Sequence, residues 1–340
     1  MQDLDPTQGK IMRPEIQTHL THFPYVQTWL DWWKGCSLPR KLIPLFLVTL
    51  YWTIIFSLGG FRPDHFIGGM LFLAFYYGGP RTLPLFYFLL PFFLMSAAYD
   101  SQGFYAGQLR SEIHLKEPYL WEKKYFGIPT GDGVLLPAEW FQKHTYPVLD
   151  FLTGLIYINF IPVYLMVALY IRFRLGQTGH AHFSAEDIQK LSPAIMWSML
   201  WLNVISCSTY YWYPAAPPWY VAQYGFGPVQ LDVPPNPAGG SRFDALLGIH
   251  LYEGFYKRTP NIFGTIPSTH VAFPLLCTYF AFKFKTLRVF CLSYYLLMCF
   301  SALYLNHHYV IDLLWGSAYA LIVGWGLDRF YTWRTAQNKT

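Results

Sequence analysis

Charged residues are scarce in this sequence. Asp, Glu, Lys and Arg make up 13% of its 340 residues, about half of the roughly 25% that is typical of a soluble domain. A chain with so few charges could not cover a soluble surface, and the hydrophobic residues, 54% of the total, come in blocks. The composition therefore predicts an integral membrane protein.

The features of several other protein classes are missing too. The formal net charge is +5, but the basic residues are scattered at the ends of apolar runs. They form no phosphate-tracking stripe, so nucleic acid is excluded as a partner. The five cysteines are odd in number, contain no Cys-x-x-Cys pair and mostly lie in apolar runs, so neither disulfides nor a metal site is predicted. The first forty residues lack the pattern of a cleaved signal, which leaves the first span to direct insertion.

What is present is a series of eight apolar runs. A straight span needs about 20 residues, and several runs are somewhat shorter. We predict an all-α, polytopic membrane protein with about eight transmembrane helices, or six if residues 42–79 form a re-entrant pair. The predicted spans are 42–58, 65–79, 83–98, 148–171, 194–212, 267–283, 289–305 and 308–328.

The runs divide the chain into an N-terminal cytoplasmic or interfacial segment (1–41), one membrane-embedded domain (42–330) and a cytoplasmic tail (331–340). With eight spans, the positive-inside rule places the basic loops and both termini in the cytoplasm. Two longer polar segments, 100–147 and 213–266, then share the opposite face. The second is rich in Pro and Gly and is predicted to cover a site.

Two histidine motifs lie on that same predicted face. The sequence contains Pro-Ser-Thr-His at 267–270 and Asn-His-His-Tyr-Val-Ile-Asp at 306–312. If the two runs between them each cross the bilayer, His270 and His308 lie at similar depth on one side. On a helix, His308 and Asp312 would share one face, because they are four residues apart.

These three side chains could perform covalent phosphohistidine chemistry. A carboxylate orients an imidazole and stabilises its charged form, while a second histidine donates and accepts protons. The alternative is a buried polar pair that holds helices together. His307 would point to another face, so we assign it to packing.

Three further residues are candidates for binding the phosphate or its headgroup. Ser268 precedes a predicted helix start, where free N–H groups favour anions; a simple helix cap is the alternative. Arg242 lies in a Gly-Gly-Ser-Arg turn that could bring it over the site. Asp150 opens a span, where it could position an acceptor, pair with a basic residue or only complement the helix dipole. The other basic candidates on this face are Arg110, Lys257 and Arg258.

These motifs resemble the type 2 phosphatidic acid phosphatase superfamily, whose signature ends in Pro-Ser-x-His and Ser-Arg-x5-His-x3-Asp. The matching blocks are Pro267–His270 and Ser301–Asp312, except that Ala302 stands where arginine is usual. The sequence is most similar to the inositol phosphorylceramide synthase (aureobasidin-target) branch, which lacks that arginine, has His-His-Tyr, and carries Pro-Pro-Trp-Tyr, here at 217–220. The likeness covers about residues 200–328, the predicted catalytic half.

The resemblance implies a membrane phosphotransferase that moves phosphoinositol from phosphatidylinositol to ceramide and releases diacylglycerol, without a metal or cofactor. His308 would be the nucleophile, Asp312 would orient it, and His270 would be the acid and base. Trp219 and Tyr220 would line the headgroup pocket. The partners implied are the two lipids and, as an open question, an accessory membrane subunit.

Compartment and acceptor stay open at this point. The active site is expected on the non-cytoplasmic face of the Golgi membrane in a fungus, or of the inner (plasma) membrane in a bacterium. One alternative function is a lipid phosphate phosphatase with water as acceptor. Another is a transporter or scaffold, which would carry ionisable residues through the bilayer midplane.

Overall fold

A computed structural model describes residues 24–131 and 133–337. The parts of the predicted terminal segments at 1–23 and 338–340 lie outside the described residues. The described chain is mostly helical, with one short hairpin formed by antiparallel strands β1 (Ile128–Thr130) and β2 (Gly133–Leu135). It divides into two compact units, one ending at Phe93 and the other beginning at Leu94.

Three of the four helices in the first unit, α2 to α4, are apolar around most of their surface. Aromatic side chains fasten its N-terminal helix: Trp29 donates a 2.6 Å hydrogen bond to the carbonyl of Tyr77, and Lys41 lies 4.9 Å from the ring of Trp33. The helices are α1 (Pro24–Gly35), α2 (Leu38–Ser57), α3 (Pro63–Tyr77) and α4 (Leu83–Leu109), which continues past the end of this unit.

The second unit contains the polar segments and both histidine motifs. Its helices before the Pro-rich segment are α5 (Lys116–Phe126), α6 (Pro137–Lys143), α7 (Pro147–Ile158), α8 (Phe160–Leu169), α9 (Gly176–Thr178), α10 (Ala185–Leu191) and α11 (Pro193–Trp212). Those after it begins are α12 (Pro218–Tyr224), α13 (Gly240–Leu247), α14 (Leu251–Tyr256), α15 (Thr269–Lys283), α16 (Arg288–Tyr304) and α17 (Val310–Gln337).

The core of the second unit is the packing of α15 against α16 and α17, with α11 packed against α17 and α7 packed against α16. Gly316 on α17 permits the closest approach, because a Cβ atom there would overlap the backbone oxygen of Ser268. Gly324, two helical turns further along α17, also faces α15, because a Cβ atom there would lie 3.0 Å from the side chain of Leu276. This packing places the starts of α15 and α17 side by side.

The number of helices long enough to cross a bilayer is smaller than predicted. Four helices in the described chain meet the length and hydropathy needed. A fifth span is possible if Pro147–Ile158 and the helical segment Phe160–Thr178, which meet at an angle of 53°, cross the bilayer together. Every predicted run does lie on helical structure, but the run 148–171 is divided between α7 and α8, α15 has 15 residues and α16 has 17. At 1.5 Å per residue a 15-residue helix is about 22 Å long, shorter than the roughly 30 Å hydrocarbon core. The structure therefore supports four to five spans and does not establish eight.

Candidate active site

The first residue pair of the site is His308 with Asp312. Nδ1 of His308 lies 3.1 Å from Oδ2 of Asp312, whose side chain has no exposed surface. The four-residue spacing predicts a contact along one helix face, but in the structure α17 begins only at Val310. The pair forms because Asp312 is the third residue of the helix and reaches back to its start, where Oδ2 also accepts the N–H of Tyr309 at 2.9 Å. This is half of a capping box, so one carboxylate both caps the helix and orients the imidazole.

His270 lies in the first turn of α15, and its ring centroid is 5.7 Å from that of His308. The two helix starts are joined by a 3.0 Å hydrogen bond from the N–H of Ser268 to the backbone carbonyl of Asp312. The structure thus brings the two histidines together, within reach of one phosphate group.

The ring of His270 is packed between aromatic side chains. Tyr157 stacks on it at 4.2 Å between centroids, and Phe160 lies at 4.3 Å with its plane tilted. The same Tyr157 stacks on His307, which is buried as the sequence analysis expected for a packing residue. Neither aromatic residue was singled out from the sequence, because a Tyr or Phe in an apolar run is indistinguishable there from ordinary core.

A carboxylate from a helix distant in sequence accepts hydrogen bonds from the first N–H groups of α17. Glu122 on α5 is fully buried, and its Oε1 accepts the N–H of Val310 at 2.9 Å. Its Oε2 lies 3.4 Å from the N–H of Ile311. Burial, reinforced by the nearby charge of Asp312, raises the pKa of Glu122 to about 7, although the two N–H groups oppose the shift. Glu122 thus holds the helix that carries Asp312, and no local sequence signal links residues this far apart.

Arg242 and Asp150, predicted separately as binding residues, bind each other. Nε of Arg242 lies 2.6 Å from Oδ1 of Asp150, and Nη1 lies 2.8 Å from Oε1 of Gln142. Nη2 donates to the backbone carbonyl of Tyr304 at 3.2 Å, just before the His-His segment. The guanidinium therefore ties α6, α7 and α13 to the end of α16. Of the roles predicted for Asp150, the structure shows the ion pair with a basic residue.

Ser268 is fully buried immediately before α15. Its Oγ has no hydrogen-bond partner among the residues that the structure describes. A buried hydroxyl without a partner is uncommon and costs free energy. The position fits the predicted anion site at this helix start, and phosphate binding by Ser268 stays a prediction.

Trp219 and Tyr220 lie in a hydrophobic cluster with Leu115 and Phe263, and they are 6% and 1% exposed. Tyr220 also fastens the Pro-rich segment, since its hydroxyl accepts the N–H of Gln230 at 2.8 Å. These contacts describe a packing role. A contact with the headgroup stays a prediction.

Two of the three remaining basic candidates have partners of their own. Lys257 forms a 2.6 Å ion pair with Glu253, and the guanidinium of Arg110 lies 5.2 Å from the ring centroid of Phe263. Within residues 24–131 and 133–337, no group of three or more His, Cys, Asp or Glu side chains could hold a metal ion.

Comparison with known proteins identifies the family. Residues 133–326, more than half of the chain, match the PAP2 superfamily. The chain belongs to the PAP2 superfamily. The predicted superfamily membership is confirmed, and the matched region contains both histidine motifs. No solved structure matches this chain.

Similar PAP2 proteins are known in bacteria and fungi. The chain is 29% identical over 298 residues to a phosphoinositol dihydroceramide synthase of Bacteroides thetaiotaomicron, covering 85% of this chain and 91% of that protein. It is 35% identical over 111 residues to an inositol phosphorylceramide synthase catalytic subunit of Schizosaccharomyces pombe, covering 32% of this chain and 26% of that protein. The corresponding protein of Saccharomyces cerevisiae is 35% identical over 112 residues, 33% of this chain and 28% of its own length. The predicted likeness to the inositol phosphorylceramide synthases is therefore also confirmed.

Proposed function

We propose that this protein is a phosphotransferase that moves phosphoinositol from phosphatidylinositol to the primary hydroxyl of ceramide or dihydroceramide, releasing diacylglycerol. The observation that carries the proposal is the position of the two histidines at adjacent helix starts. The ring centroids of His308 and His270 are 5.7 Å apart, and the carboxylate of Asp312 contacts the His308 ring. Similarity to the bacterial synthase along nearly its whole length supports the choice of lipids.

The first half-reaction forms a phosphohistidine. Nε2 of His308 attacks phosphorus while the bond from phosphorus to the diacylglycerol oxygen breaks, and a protonated His270 gives its proton to that oxygen. Asp312, held against Nδ1, stabilises the positive charge that develops on the His308 ring. His270 is left neutral.

The second half-reaction reverses the roles. Neutral His270 takes the proton of the acceptor hydroxyl as its oxygen attacks phosphorus, and the P–N bond to His308 breaks. The enzyme returns to its starting state, with His270 protonated. General acid–base assistance of this kind contributes roughly 10²–10⁴-fold.

Five further residues are proposed to bind the phosphate or to shape the headgroup pocket. Ser268, with its unpartnered hydroxyl, would hold a non-bridging phosphate oxygen. Arg242 keeps unused N–H donors after its three contacts and would face the same group, with Asp150 holding it in place. Trp219 and Tyr220 would shape the headgroup pocket as part of the hydrophobic cluster that they form with Leu115 and Phe263.

Topology and setting complete the proposal. We infer eight membrane crossings, with the short helices α3, α15 and α16 completed by their flanking residues, and a site on the non-cytoplasmic face. Similarity to a bacterial protein over most of the chain favours the inner membrane of a bacterium over the Golgi. An accessory subunit stays a prediction, supported only by the fungal relatives' being named catalytic subunits.

The test is headgroup transfer by purified protein. Vesicles of inositol-labelled phosphatidylinositol, with and without ceramide or dihydroceramide, should yield labelled phosphoinositol ceramide only when the acceptor is present. His308→Ala and His270→Ala should each abolish the product while leaving the thermal transition in place. Free inositol phosphate formed without any new lipid would favour the hydrolase. Transfer that survives both substitutions would refute the mechanism.

A further inference from the structure

His307 belongs to a column of four stacked rings. Its ring lies 4.7 Å from that of Tyr256 with an angle of 4°, and 5.1 Å from that of Tyr157 with an angle of 15°. Tyr157 stacks in turn on His270, at 4.2 Å and 14°. The order is therefore Tyr256, His307, Tyr157, His270, and the first three come from α14, the His-His segment and α7. His307 is only 4% exposed, so its ring is fixed on both faces.

The edges of these rings decide which nitrogen of His307 carries the proton. Nδ1 of His307 lies 3.3 Å from the hydroxyl of Tyr256. If Tyr256 donates to Nδ1, the N–H at Nε2 is the one group of this pair left without a partner. The reverse direction would leave two unpaired groups, the Tyr256 hydroxyl proton and an Nε2 lone pair. The neutral ring of His307 therefore has its proton on Nε2, held in that form by the hydroxyl of Tyr256.

This N–H is an unused donor inside the site. No described atom makes a hydrogen bond with Nε2 of His307, and a buried donor without a partner costs roughly 1–3 kcal/mol. Its neighbour in sequence is the nucleophile His308, and its column ends on the acid–base residue His270. Ser268, two residues before His270, has a buried hydroxyl without a partner as well. The buried hydroxyl of Tyr309, beside His308, also has no partner. Three unpaired donors on the two segments that carry the chemistry call for a ligand rich in oxygen.

We propose that His307 is a substrate-binding residue whose Nε2–H donates a hydrogen bond to an oxygen of the donor lipid's phospho-headgroup. Tyr256 is a positioning residue that keeps Nε2 protonated, and Tyr157 holds the His307 ring in place by stacking on it. The proposal rests on the proposed function, because the oxygen belongs to the phosphoinositol that His308 receives. The oxygen is either a non-bridging phosphate oxygen or a hydroxyl of the inositol ring, since both accept the same bond.

The first test separates donor binding from catalysis. His307→Phe keeps a stacked ring but removes the donor. It should raise KM for phosphatidylinositol about tenfold or more, with a smaller change in kcat and no change in KM for the ceramide acceptor. Tyr256→Phe keeps the stacked ring but removes the hydroxyl that fixes the tautomer of His307. It should raise the KM for phosphatidylinositol about threefold. Unchanged KM for phosphatidylinositol in His307→Phe, or an equal rise in KM for the acceptor, would overturn the proposal.

The matched control is Tyr164→Phe, which removes the hydroxyl of another buried tyrosine, bonded at 2.6 Å to the backbone carbonyl of Ile195. It should leave KM for phosphatidylinositol unchanged. Thermal transitions of all variants report whether each has folded. If His307→Phe fails to fold, the Tyr256→Phe result decides, with an unchanged KM counting against the proposal.

The second test needs no turnover. NMR measurements of inorganic phosphate and of free myo-inositol binding to detergent-solubilised protein identify the oxygen. Weaker phosphate binding in His307→Phe assigns Nε2 to a phosphate oxygen, and weaker inositol binding assigns it to a ring hydroxyl. Equal binding of both probes by wild type and variant would overturn the proposal. Wild-type protein that binds phosphate through His307 yet transfers no headgroup would instead contradict the proposed function alone.

Discussion

The carboxylate of Asp312 both orients the His308 ring and caps α17, because one oxygen contacts Nδ1 of His308 and the N–H of Tyr309. Asp312→Asn tests them separately. The amide oxygen can still accept the backbone N–H, so the helix start should persist. The neutral amide carries no negative charge to attract the Nδ1–H of His308. The His308 ring therefore loses its fixed orientation, and the positive charge that develops on it is no longer stabilised.

We expect kcat for transfer to fall roughly 10²–10⁴-fold with a nearly unchanged thermal transition. The measurement is phosphohistidine formation in a single turnover, followed with labelled phosphatidylinositol. Asp64→Asn, an exposed carboxylate in the first unit, is the control and should retain the rate. Full phosphohistidine formation by the Asp312 variant would show that the carboxylate has only a capping role.

At the scale of elements, the site depends on how closely α17 approaches the start of α15. Gly316→Ala would place a methyl group against the backbone oxygen of Ser268, which cannot move without shifting α15. The helices should separate, moving His308 away from His270, and both activity and the thermal transition should drop sharply. Gly326→Ala on the same helix is the matched control, because a Cβ there meets no described atom within 4 Å. Equal effects of the two substitutions would contradict the proposed helix contact.

Docking of α5 onto α17 through Glu122 should depend on pH. The pKa of Glu122 is raised by burial from its ordinary value of 4.5 to about 7, so the folded protein holds this proton more tightly than the unfolded chain does. Its contribution to stability is therefore complete below about pH 4.5 and is lost as the pH rises towards 7.

Glu122→Gln removes that titration. The free energy of unfolding of wild type relative to the variant should fall by about 2–3 kcal/mol between pH 5 and pH 8, since one pKa unit corresponds to about 1.4 kcal/mol. Denaturant unfolding in detergent across this range measures it. The exposed Glu112 on the same segment gives the control, Glu112→Gln, whose pH profile should parallel wild type. A parallel profile for Glu122→Gln would refute the prediction.

These elements also show what the sequence could predict. The four-residue spacing of His308 and Asp312 predicted their contact, although the contact arises from a helix cap and not from a shared helix face. The role of Glu122 could not be predicted, since it joins segments more than 180 residues apart. His307 was assigned to packing because sequence spacing shows direction on an ideal helix, whereas this segment is not helical.

At the scale of the whole molecule, each apolar block lies on helical structure, but the blocks predicted neither the lengths of those helices nor the short helices between them. Composition sets where a segment is buried in lipid or protein, whereas helix ends depend on caps and neighbours that come from elsewhere in the chain. Hydropathy alone therefore overestimates how many helices meet the span length, and α15 and α16 fall short for this reason.

Orientation in the bilayer is the remaining property of the whole chain. α15 begins beside His270 and ends at Lys283, and the turn after it exposes Lys285 about 22 Å away along the helix. Basic residues near this turn predict that it faces the cytoplasm. Gly227 lies in the Pro-rich segment on the side of the histidines, and it has open space for a side chain.

Single cysteines at these two positions test the orientation. In a background with Cys36→Ser and Cys299→Ser, which removes the two partly exposed native thiols, a membrane-impermeant maleimide should label Gly227→Cys in intact spheroplasts. Lys285→Cys should be labelled only after permeabilisation, because the bilayer separates it from the reagent. The parent without either new cysteine is the control and should stay unlabelled. The opposite labelling pattern would place the two histidines in the cytoplasm, where the headgroup donor and acceptor would have to be drawn from the inner leaflet.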